Sequence, residues 1–423
     1  MIQRLSLSSF AVAATLLAAQ AHGAGRLDVT ASHALDIARP AETIAVPWAR
    51  VNDALPQARS QQLVVKDAAG RSLAYQVTNV DATAKDPKMI GAAYGELLFQ
   101  YDFKAGEKSA TFTVEKAGAT VAPFAPKTYA RFVQERLDDF AWENDKLAHR
   151  AYGPALKAPA PAGSGKEVLA TSGIDIWFKR VPYPVVDRWY NIGHDHYHED
   201  QGEGIDMYNV GPTRGAGGTG IWDGKALHVG ANYRAWNILA NGPIRTVFEL
   251  HYDAWDAAGA KVTEVKRFTV DAGRWFDRID STFTFAGPNQ LTAAVGLNKR
   301  PSDKGQEVKV DFSDVQADGS LVQWVTQRSF GDFGVAVIVP PASGSSVGAS
   351  AGASAAASVG FAADERNALV TAQVTSGQPL RYYVGAAWTR GSPFATQADW
   401  KRHVADEAAR LRAPVSVQVA TGR

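Results

Sequence analysis

The sequence predicts a mainly β protein, with a small N-terminal β-sandwich followed by a large antiparallel β-sandwich and few helices. Residues 26–117 consist of short strand-like runs separated by turn signals. From residue 174 to about 373 a longer series of strands follows, without the alternating helices that accompany a parallel sheet. We therefore expect two antiparallel β units and not an α/β fold.

The individual elements follow from local signals. In the N-terminal unit the strand candidates are 44–48, 62–65, 73–77, 97–101 and 110–114. In the large unit they are 174–178, 245–252, 262–270, 279–285, 291–297 and 335–339. Helices are predicted for 134–152, which Gly153 and Pro154 would end, and for 396–411. The Ala, Ser and Gly run 342–358 predicts a flexible surface loop.

These signals predict a division into four parts. Residues 1–23 form a signal peptide, because Arg4 precedes an apolar run and small residues offer a cleavage site. Residues 24–120 form the N-terminal β-sandwich, 121–165 a linker with a helix, and 166–423 the large catalytic β-sandwich. We expect a periplasmic or secreted protein without a membrane span, because no later stretch reaches the roughly 18 apolar residues that a span requires.

Composition excludes several classes of function. The chain has no cysteine, so disulfide and thiolate chemistry are absent. Its 44 basic and 43 acidic residues give a net charge of +1, which argues against bulk nucleic-acid binding. Eleven Trp, thirteen Tyr and eighteen Phe supply flat faces for sugar rings, although most of them are expected in β cores. The composition does not indicate an oligomeric state.

Residues 193–208 are the predicted active centre. The segment holds three of the nine histidines, five carboxylates and two tyrosines. If 194–198 is extended, His194, His196 and His198 share one face. One interpretation is a metal-free acid–base site that combines one of these histidines with Tyr208. A second is a divalent metal site for Zn or Ca, with the candidate ligands His196, His198, Asp200 and Glu203. A third is a hydrogen-bonded turn with incidental histidines.

Three further segments supply candidate substrate-binding residues. The predicted helix 134–152 would place Asp138, Trp142, Asp145 and His149 on one stripe, which either lines a sugar cleft or packs into a core. Cations in two other segments suit recognition of a carboxylate. The complete candidate set is Trp142, Glu143, Asn144, His149, Arg150, Arg214, Lys299 and Arg300.

This combination of residue types fits one reaction better than its rivals. β-Elimination on a uronic acid needs a base, an acid and a cation beside the sugar carboxylate. Glycoside hydrolysis would instead use two carboxylates, for example Asp200 with Glu143. The residue types are also compatible with a carbohydrate-binding protein without catalysis and with a sugar epimerase or mutarotase.

The chain also resembles a known family. Residues 135–145 and 148–156 resemble the exported bacterial family catalogued as DUF4861, as do 175–180, 189–190, 197–204 and 242–245. The family is found alongside machinery that degrades pectin, rhamnogalacturonan and ulvan. The resemblance therefore implies an oligosaccharide substrate with a uronate end, and a dehydratase or lyase activity. By analogy, the large sandwich is expected to be of the galactose-mutarotase-like type.

Overall fold

The computed structural model describes residues 25–80, 95–302, 308–341 and 358–422. Within them the protein is mainly β, with several antiparallel sheets and few helices, so the predicted fold class is confirmed. The predicted signal peptide and nearly all of the predicted loop 342–358 lie outside these residues. No helix in the described ranges has the length and apolarity to cross a membrane.

The N-terminal unit is a sandwich of two antiparallel sheets. Its elements are β1 (Arg26–Ser32), β2 (Arg39–Pro47), α1 (Trp48–Ala54), β3 (Leu63–Asp67), β4 (Ser72–Leu73), β5 (Tyr75–Thr78), β6 (Glu96–Phe103) and β7 (Ser109–Lys116). One sheet contains β1-β7-β3-β4 and the other β2-β6-β5. Leu27, Val29 and Ala31 alternate into the core between them, because successive strand side chains point to opposite faces. Each predicted strand of this unit overlaps an observed one, although 73–77 is divided at Ala74 between β4 and β5, which belong to different sheets.

A five-stranded antiparallel sheet, called here the middle sheet, follows in the chain. Its strands are β8 (Tyr129–Val133), β9 (Asp139–Glu143), β10 (Leu147–Ala151), β11 (Ile174–Lys179) and β12 (Gly204–Asp206), in the order β12-β11-β10-β9-β8. Short helices accompany it: a 3-10 turn (Gln134–Arg136), α2 (Pro154–Lys157), α3 (Val186–Ile192) and α4 (His194–Tyr197).

The predicted helix over 134–152 is wrong. Leu137 and Asp138 adopt left-handed backbone angles (φ 52° and 63°), which end the helical segment after one 3-10 turn. The Asn144 side chain then accepts hydrogen bonds from the amides of Lys146 and Leu147 and closes a hairpin between β9 and β10. All ten residues of these strands are buried, so the segment has no solvent-exposed face.

The predicted extended conformation of 194–198 is also wrong. Gly193, at φ 119°, ends α3, and the chain immediately forms the single turn α4. His194 and His198, four residues apart, therefore lie beside each other, with ring centroids 4.2 Å apart. The alternation that placed His196 with them does not exist.

The large sandwich holds the remaining strands. They are β13 (Ala216–Trp222), β14 (Leu227–His228), β15 (Ala235–Ala240), β16 (Arg245–Ala257), β17 (Ala260–Asp271), β18 (Phe276–Phe285), β19 (Gln290–Asn298), β20 (Lys309–Val315), β21 (Ser320–Thr326), β22 (Phe333–Ile338), β23 (Val359–Ala363), β24 (Asn367–Thr375) and β25 (Pro379–Trp388). One sheet has five strands (β14-β13-β19-β24-β23) and the other has eight (β15-β16-β17-β18-β25-β22-β21-β20).

The eight-stranded sheet organises the molecule. Its inner face packs on the five-stranded sheet of the large sandwich and on the middle sheet, in one hydrophobic core. There Phe248 and Phe268 contact Trp142 of the middle sheet. Part of its outer face is covered by α5 (Gln397–Arg412), whose Trp400 is fully buried. This helix was predicted, and a capping box of Thr396 and Asp399 starts it.

The chain ends by returning to its beginning. The last strand, β26 (Ser416–Thr421), pairs antiparallel with β1. The Gln76 side chain of the N-terminal unit also hydrogen-bonds the backbone of Ile244 and Arg245 in the large unit. The predicted domains 24–120, 121–165 and 166–423 stay a prediction. The last strand of the chain, however, belongs to a sheet of the N-terminal unit.

Candidate active-site cleft

One face of the middle sheet carries a buried cluster of charges. On β11, Ile174, Ile176 and Phe178 point into the large core, so Asp175 and Trp177 point to the opposite face. On that face Arg150 of β10 lies directly across from Asp175. A carboxylate inside a fully buried strand requires a partner, and the neighbouring strand supplies it.

Arg150 is the centre of this cluster. Its Nη2 and Nε donate to Oδ2 of Asp175 at 2.5 and 3.0 Å, and Nη2 also lies 3.4 Å from Oδ2 of Asp206. Asp139 lies 3.8 Å from Nη1. Burial raises the pKa of Asp139 to about 6, although Arg150 and Arg136 oppose that rise. Around neutral pH, one guanidinium therefore organises three buried carboxyl groups.

Tyr152 belongs to the same buried cluster. Its hydroxyl donates to Oδ2 of Asp175 at 3.2 Å and lies 3.4 Å from Nη2 of Arg150. Burial, and then the charge of Asp175, raises the pKa of this hydroxyl well above its ordinary value. Tyr152 therefore keeps its proton at neutral pH.

Helices α3 and α4 cover the charged face and place the histidines at its edge. Trp177 stacks on Trp189 of α3 and on Tyr197 of α4. This packing holds His198 beside the cluster, with Nε2 3.4 Å from Oδ2 of Asp206. The other ring nitrogen, Nδ1, donates a hydrogen bond to the carbonyl oxygen of His194 at 2.7 Å.

These groups line one cleft of about 390 Å³. Its polar side chains are Arg136, Arg150, Tyr152, Glu167, His194, His198, Asp206, Tyr208 and Asn209. Arg136 stands at the wall and pairs with the exposed Glu167, at 2.8 Å. The cleft thus combines two guanidinium groups, two imidazoles and a buried phenol, which is an arrangement suited to proton transfer next to an anion.

Of the predicted catalytic residues, His194, His198 and Tyr208 line this cleft and His196 does not. The role predicted for Tyr208 does not fit its orientation. Its hydroxyl donates to the carbonyl of Gly215 at 3.0 Å, inside the core, and burial raises its pKa. The ring lines the cleft, but the hydroxyl is turned away from it.

The predicted metal ligands do not converge. Asp200 pairs with Arg180, and Glu203 accepts hydrogen bonds from Tyr183, Arg188 and Trp189. His198 faces Asp206 and not these two carboxylates. In the part of the chain that the structure describes, no three His, Cys, Asp or Glu side chains form a group that could hold a metal ion.

Trp142 and His149 are neighbours, as predicted, but as a cross-strand pair in the core. Their rings stack at 5.2 Å, and both residues are almost fully buried, so neither can contact a sugar. The Trp142 indole donates to Oδ2 of Asp277 at 2.9 Å. Burial lowers the pKa of His149 to about 3 and raises the pKa of Asp277 to about 7, so His149 and Asp277 are both neutral between about pH 3 and pH 7.

Asp277 gives the protein a testable pH dependence. When the pKa of a carboxyl group is higher in the folded state than in the unfolded state, the folded protein loses stability as pH rises between the two pKa values, here from about 4 to about 7. We expect Asp277→Asn to remove this loss, since Asn keeps an acceptor for the Trp142 indole. The variant's gain in unfolding free energy over wild type should grow from pH 5 to pH 7.5 by a few kcal/mol, at about 1.4 kcal/mol per pKa unit. Urea denaturation at both pH values measures it, and an equal difference at both would contradict it.

Glu143 and Asn144, predicted to bind substrate, are structural. Glu143 forms a fully buried ion pair with Lys179 at 2.7 Å and accepts hydrogen bonds from the amides of Val185 and Val186 at the start of α3. Asn144 closes the β9–β10 hairpin. Both side chains have their polar atoms occupied away from solvent.

The cations predicted to hold a carboxylate, Arg214, Lys299 and Arg300, lie elsewhere, whereas Arg150, predicted as a substrate-binding residue, lines the cleft. Arg214 is buried, donates to the hydroxyl of Ser172 at 2.7 Å, and has its pKa lowered by burial to about 10. Lys299 donates to the carbonyl of Asp364, and Arg300 is exposed outside the cleft lining.

The prediction missed Arg136, Tyr152 and Asp175. Arg136 was hidden inside the supposed helix. Asp175 did carry a signal, because it is the one charge within the apolar run 174–178, and a buried charge implies a partner. No sequence signal showed which cation that partner is.

Comparison with known proteins shows which family the chain belongs to. A curated protein of Formosa agariphila, "Uncharacterized protein P7", is 27% identical over 398 residues, which cover 92% of this chain and 93% of that protein. Two solved structures from Enterococcus faecalis are similar over 94% of this chain: an alpha-mannosidase (8% identity, TM-score 0.43) and a protein of glycosyl hydrolase family 38 (9% identity, TM-score 0.45). The chain spans 46% and 48% of their lengths. The model of the family described as "Domain of unknown function (DUF4861)" matches residues 31–417, and the chain belongs to this family.

Proposed function

We propose that the cleft is the active site of an exported carbon–oxygen lyase or dehydratase that acts by β-elimination on oligosaccharides containing uronic acid. The observation that carries this proposal is the meeting of Arg136, Arg150, Tyr152 and His198 in one cleft. The predicted signal peptide supports the expectation of a periplasmic or secreted enzyme.

Arg136 is the group that would hold the sugar carboxylate. Its guanidinium is about one-fifth exposed, and its partner Glu167 is about half exposed. Because Glu167 is half exposed, water can take its place beside Arg136, and a substrate carboxylate can replace it there. Arg150 lines the same cleft, but Asp175 and Asp206 share its charge, so Arg136 supplies most of the positive charge where the enolate-like anion develops.

His198 is the proposed base. Because Nδ1 donates to the carbonyl of His194, the proton of the neutral ring sits there, and Nε2 is the basic atom. Asp206, 3.4 Å from Nε2, stabilises the imidazolium that forms after proton transfer. The base and the charge that supports it are therefore held by different elements, α4 and β12.

Tyr152 is the proposed acid. His198 takes the proton from C5 of the uronate, the bond from C4 to its oxygen breaks, and a double bond forms between C4 and C5. The departing oxygen receives the Tyr152 proton, and Arg150 stabilises the phenolate at 3.4 Å. When the departing oxygen belongs to the next sugar the chain is cleaved, and when it is a hydroxyl, water is lost.

Glycoside hydrolysis is the second candidate, because two carboxylates, Glu167 and Asp206, line the same cleft. The pair predicted for it, Asp200 with Glu143, is excluded by the burial of Glu143 in its ion pair with Lys179.

A substrate panel tests the proposal. We expect uronate oligosaccharides to yield an unsaturated uronate, which is detected by its ultraviolet absorbance, while methyl-esterified and neutral oligosaccharides give none. The ester is the matched control, because it keeps the sugar ring and removes the charge that Arg136 would bind. Esterification also makes the C5 proton more acidic, so absence of product from the ester would reflect lost recognition and not lower reactivity. Reducing ends released from neutral oligosaccharides without that absorbance would support the hydrolase instead.

A further inference from the structure

A second polar groove lies on the outer face of the eight-stranded sheet, next to the N-terminal sandwich. Its volume is about 600 Å³, and it adjoins a smaller pocket of about 160 Å³ with which it shares Arg245, Thr269 and Arg278. It involves strands β16, β17, β18 and β25, and the cleft involves none of them.

The floor of this groove is a cross-strand ladder of alternating charge. Glu249, Arg267, Asp280 and Arg381 lie opposite one another on the four adjacent strands. Arg267 donates to Glu249 at 2.9 Å, and Arg381 contacts both oxygens of Asp280, at 2.7 and 3.2 Å. These charges satisfy one another.

Arg245 is satisfied in the same way. It makes a two-bond contact with Asp271, at 2.6 and 2.7 Å. Three of the four arginines that line the groove therefore have a carboxylate of their own.

Arg278 is the exception. Its Nε is buried, 3.3 Å from Oδ2 of Asp280, and makes no hydrogen bond in the described part of the chain. Both Asp280 oxygens are already used by Arg381. A guanidinium has five N–H donors in a planar fork, so Arg278 presents unused donors at the junction of the two pockets.

The surroundings of Arg278 fit an acidic sugar better than a simple anion. Glu96, on the wall formed by the N-terminal sandwich, would repel an inorganic anion but can accept hydrogen bonds from sugar hydroxyls. Thr78, Thr269 and Thr282 add hydroxyl groups along the groove. The volume accommodates one or two sugar rings.

We propose that this groove is a second binding site, in which Arg278 holds the carboxylate of an acidic saccharide while Glu96 and the threonines contact its hydroxyls. The choice of a saccharide rests on the proposed function, whereas the unused donors of Arg278 do not. The site would hold the substrate chain away from the cleft and raise its local concentration.

The test is calorimetric titration with trigalacturonate in the His198→Gln background. We expect two classes of site. Adding Arg278→Met should raise the Kd of one class at least about tenfold or abolish its binding, because a charge-assisted contact is lost. Adding Arg136→Gln should affect the other. Arg234→Gln, an exposed arginine paired with Asp253 beside the same sheet, is the matched control and should change neither.

A stability readout separates a binding role from a structural one. Without ligand, Arg278→Met should unfold at the same temperature as its parent or higher, because it removes a buried donor that has no acceptor. With trigalacturonate, its stabilisation should be smaller than that of the parent. Unchanged binding in Arg278→Met, or equal stabilisation of the parent by sodium sulfate alone, would overturn the inference. Loss of binding in Arg278→Met together with no elimination product from the wild type would leave the groove standing and sink the proposed reaction.

Discussion

Replacing His198 by Gln is expected to lower kcat/KM on uronate oligosaccharides by about 10²–10⁴-fold, the range typical for loss of a general acid or base. Gln preserves polarity and approximate size but cannot take a proton from carbon. His198 is partly exposed at the edge of the cleft, so its loss should leave the unfolding temperature nearly unchanged. Steady-state kinetics with wild type and variant measures the effect.

The neighbouring His196 supplies the control for this prediction. It belongs to the same turn but does not line the cleft, so His196→Gln should keep wild-type turnover. Equal losses in both variants would show that the histidines act through the fold of α4. Full activity in His198→Gln would remove the base from the proposed reaction.

Replacing Asp175 by Ala is expected to destabilise the protein by about 3–5 kcal/mol, because it leaves Arg150 buried without its shortest partner. For a chain of this size, that loss lowers the unfolding temperature by roughly 4–6 °C. Activity should also fall, since Asp175 positions the Tyr152 hydroxyl. Thermal denaturation followed by circular dichroism measures the first effect.

Asp195→Ala is the matched control for Asp175→Ala. Its carboxylate is fully exposed beside His194, so its removal should change stability by no more than about 0.5 kcal/mol. A similarly small change in Asp175→Ala would mean that the Arg150 cluster does not hold the middle sheet together.

The β architecture was predictable because strand periodicity and turn residues are local properties. The runs at 97–101 and 262–270 lie inside β6 and β17. The predicted helix 134–152 is wrong because the hairpin β9–β10 is buried on both faces, so its polar residues do not mark a solvent-exposed side. Spacings of three and four residues occur in it by chance. Trp142 and His149 meet, but across two strands.

The site was only partly predictable for a different reason. The segment 193–208 does border the cleft, since His194, His198 and Tyr208 line it. The charge cluster, however, joins Arg150, Asp175 and Asp206 from three strands that are separated by long stretches of sequence. Strand pairing brings them together, and no local pattern encodes that pairing.

Mass spectrometry of products formed in water labelled with the heavy oxygen isotope tests the central claim most directly. Elimination leaves the new double bond without incorporating oxygen from solvent, whereas hydrolysis places one solvent oxygen on a released end. We predict unsaturated products with no heavy oxygen for wild type, and at least about a hundredfold less of the same product in the same time for His198→Gln. Saturated fragments that carry one heavy oxygen would contradict the lyase or dehydratase account and assign the cleft to a hydrolase.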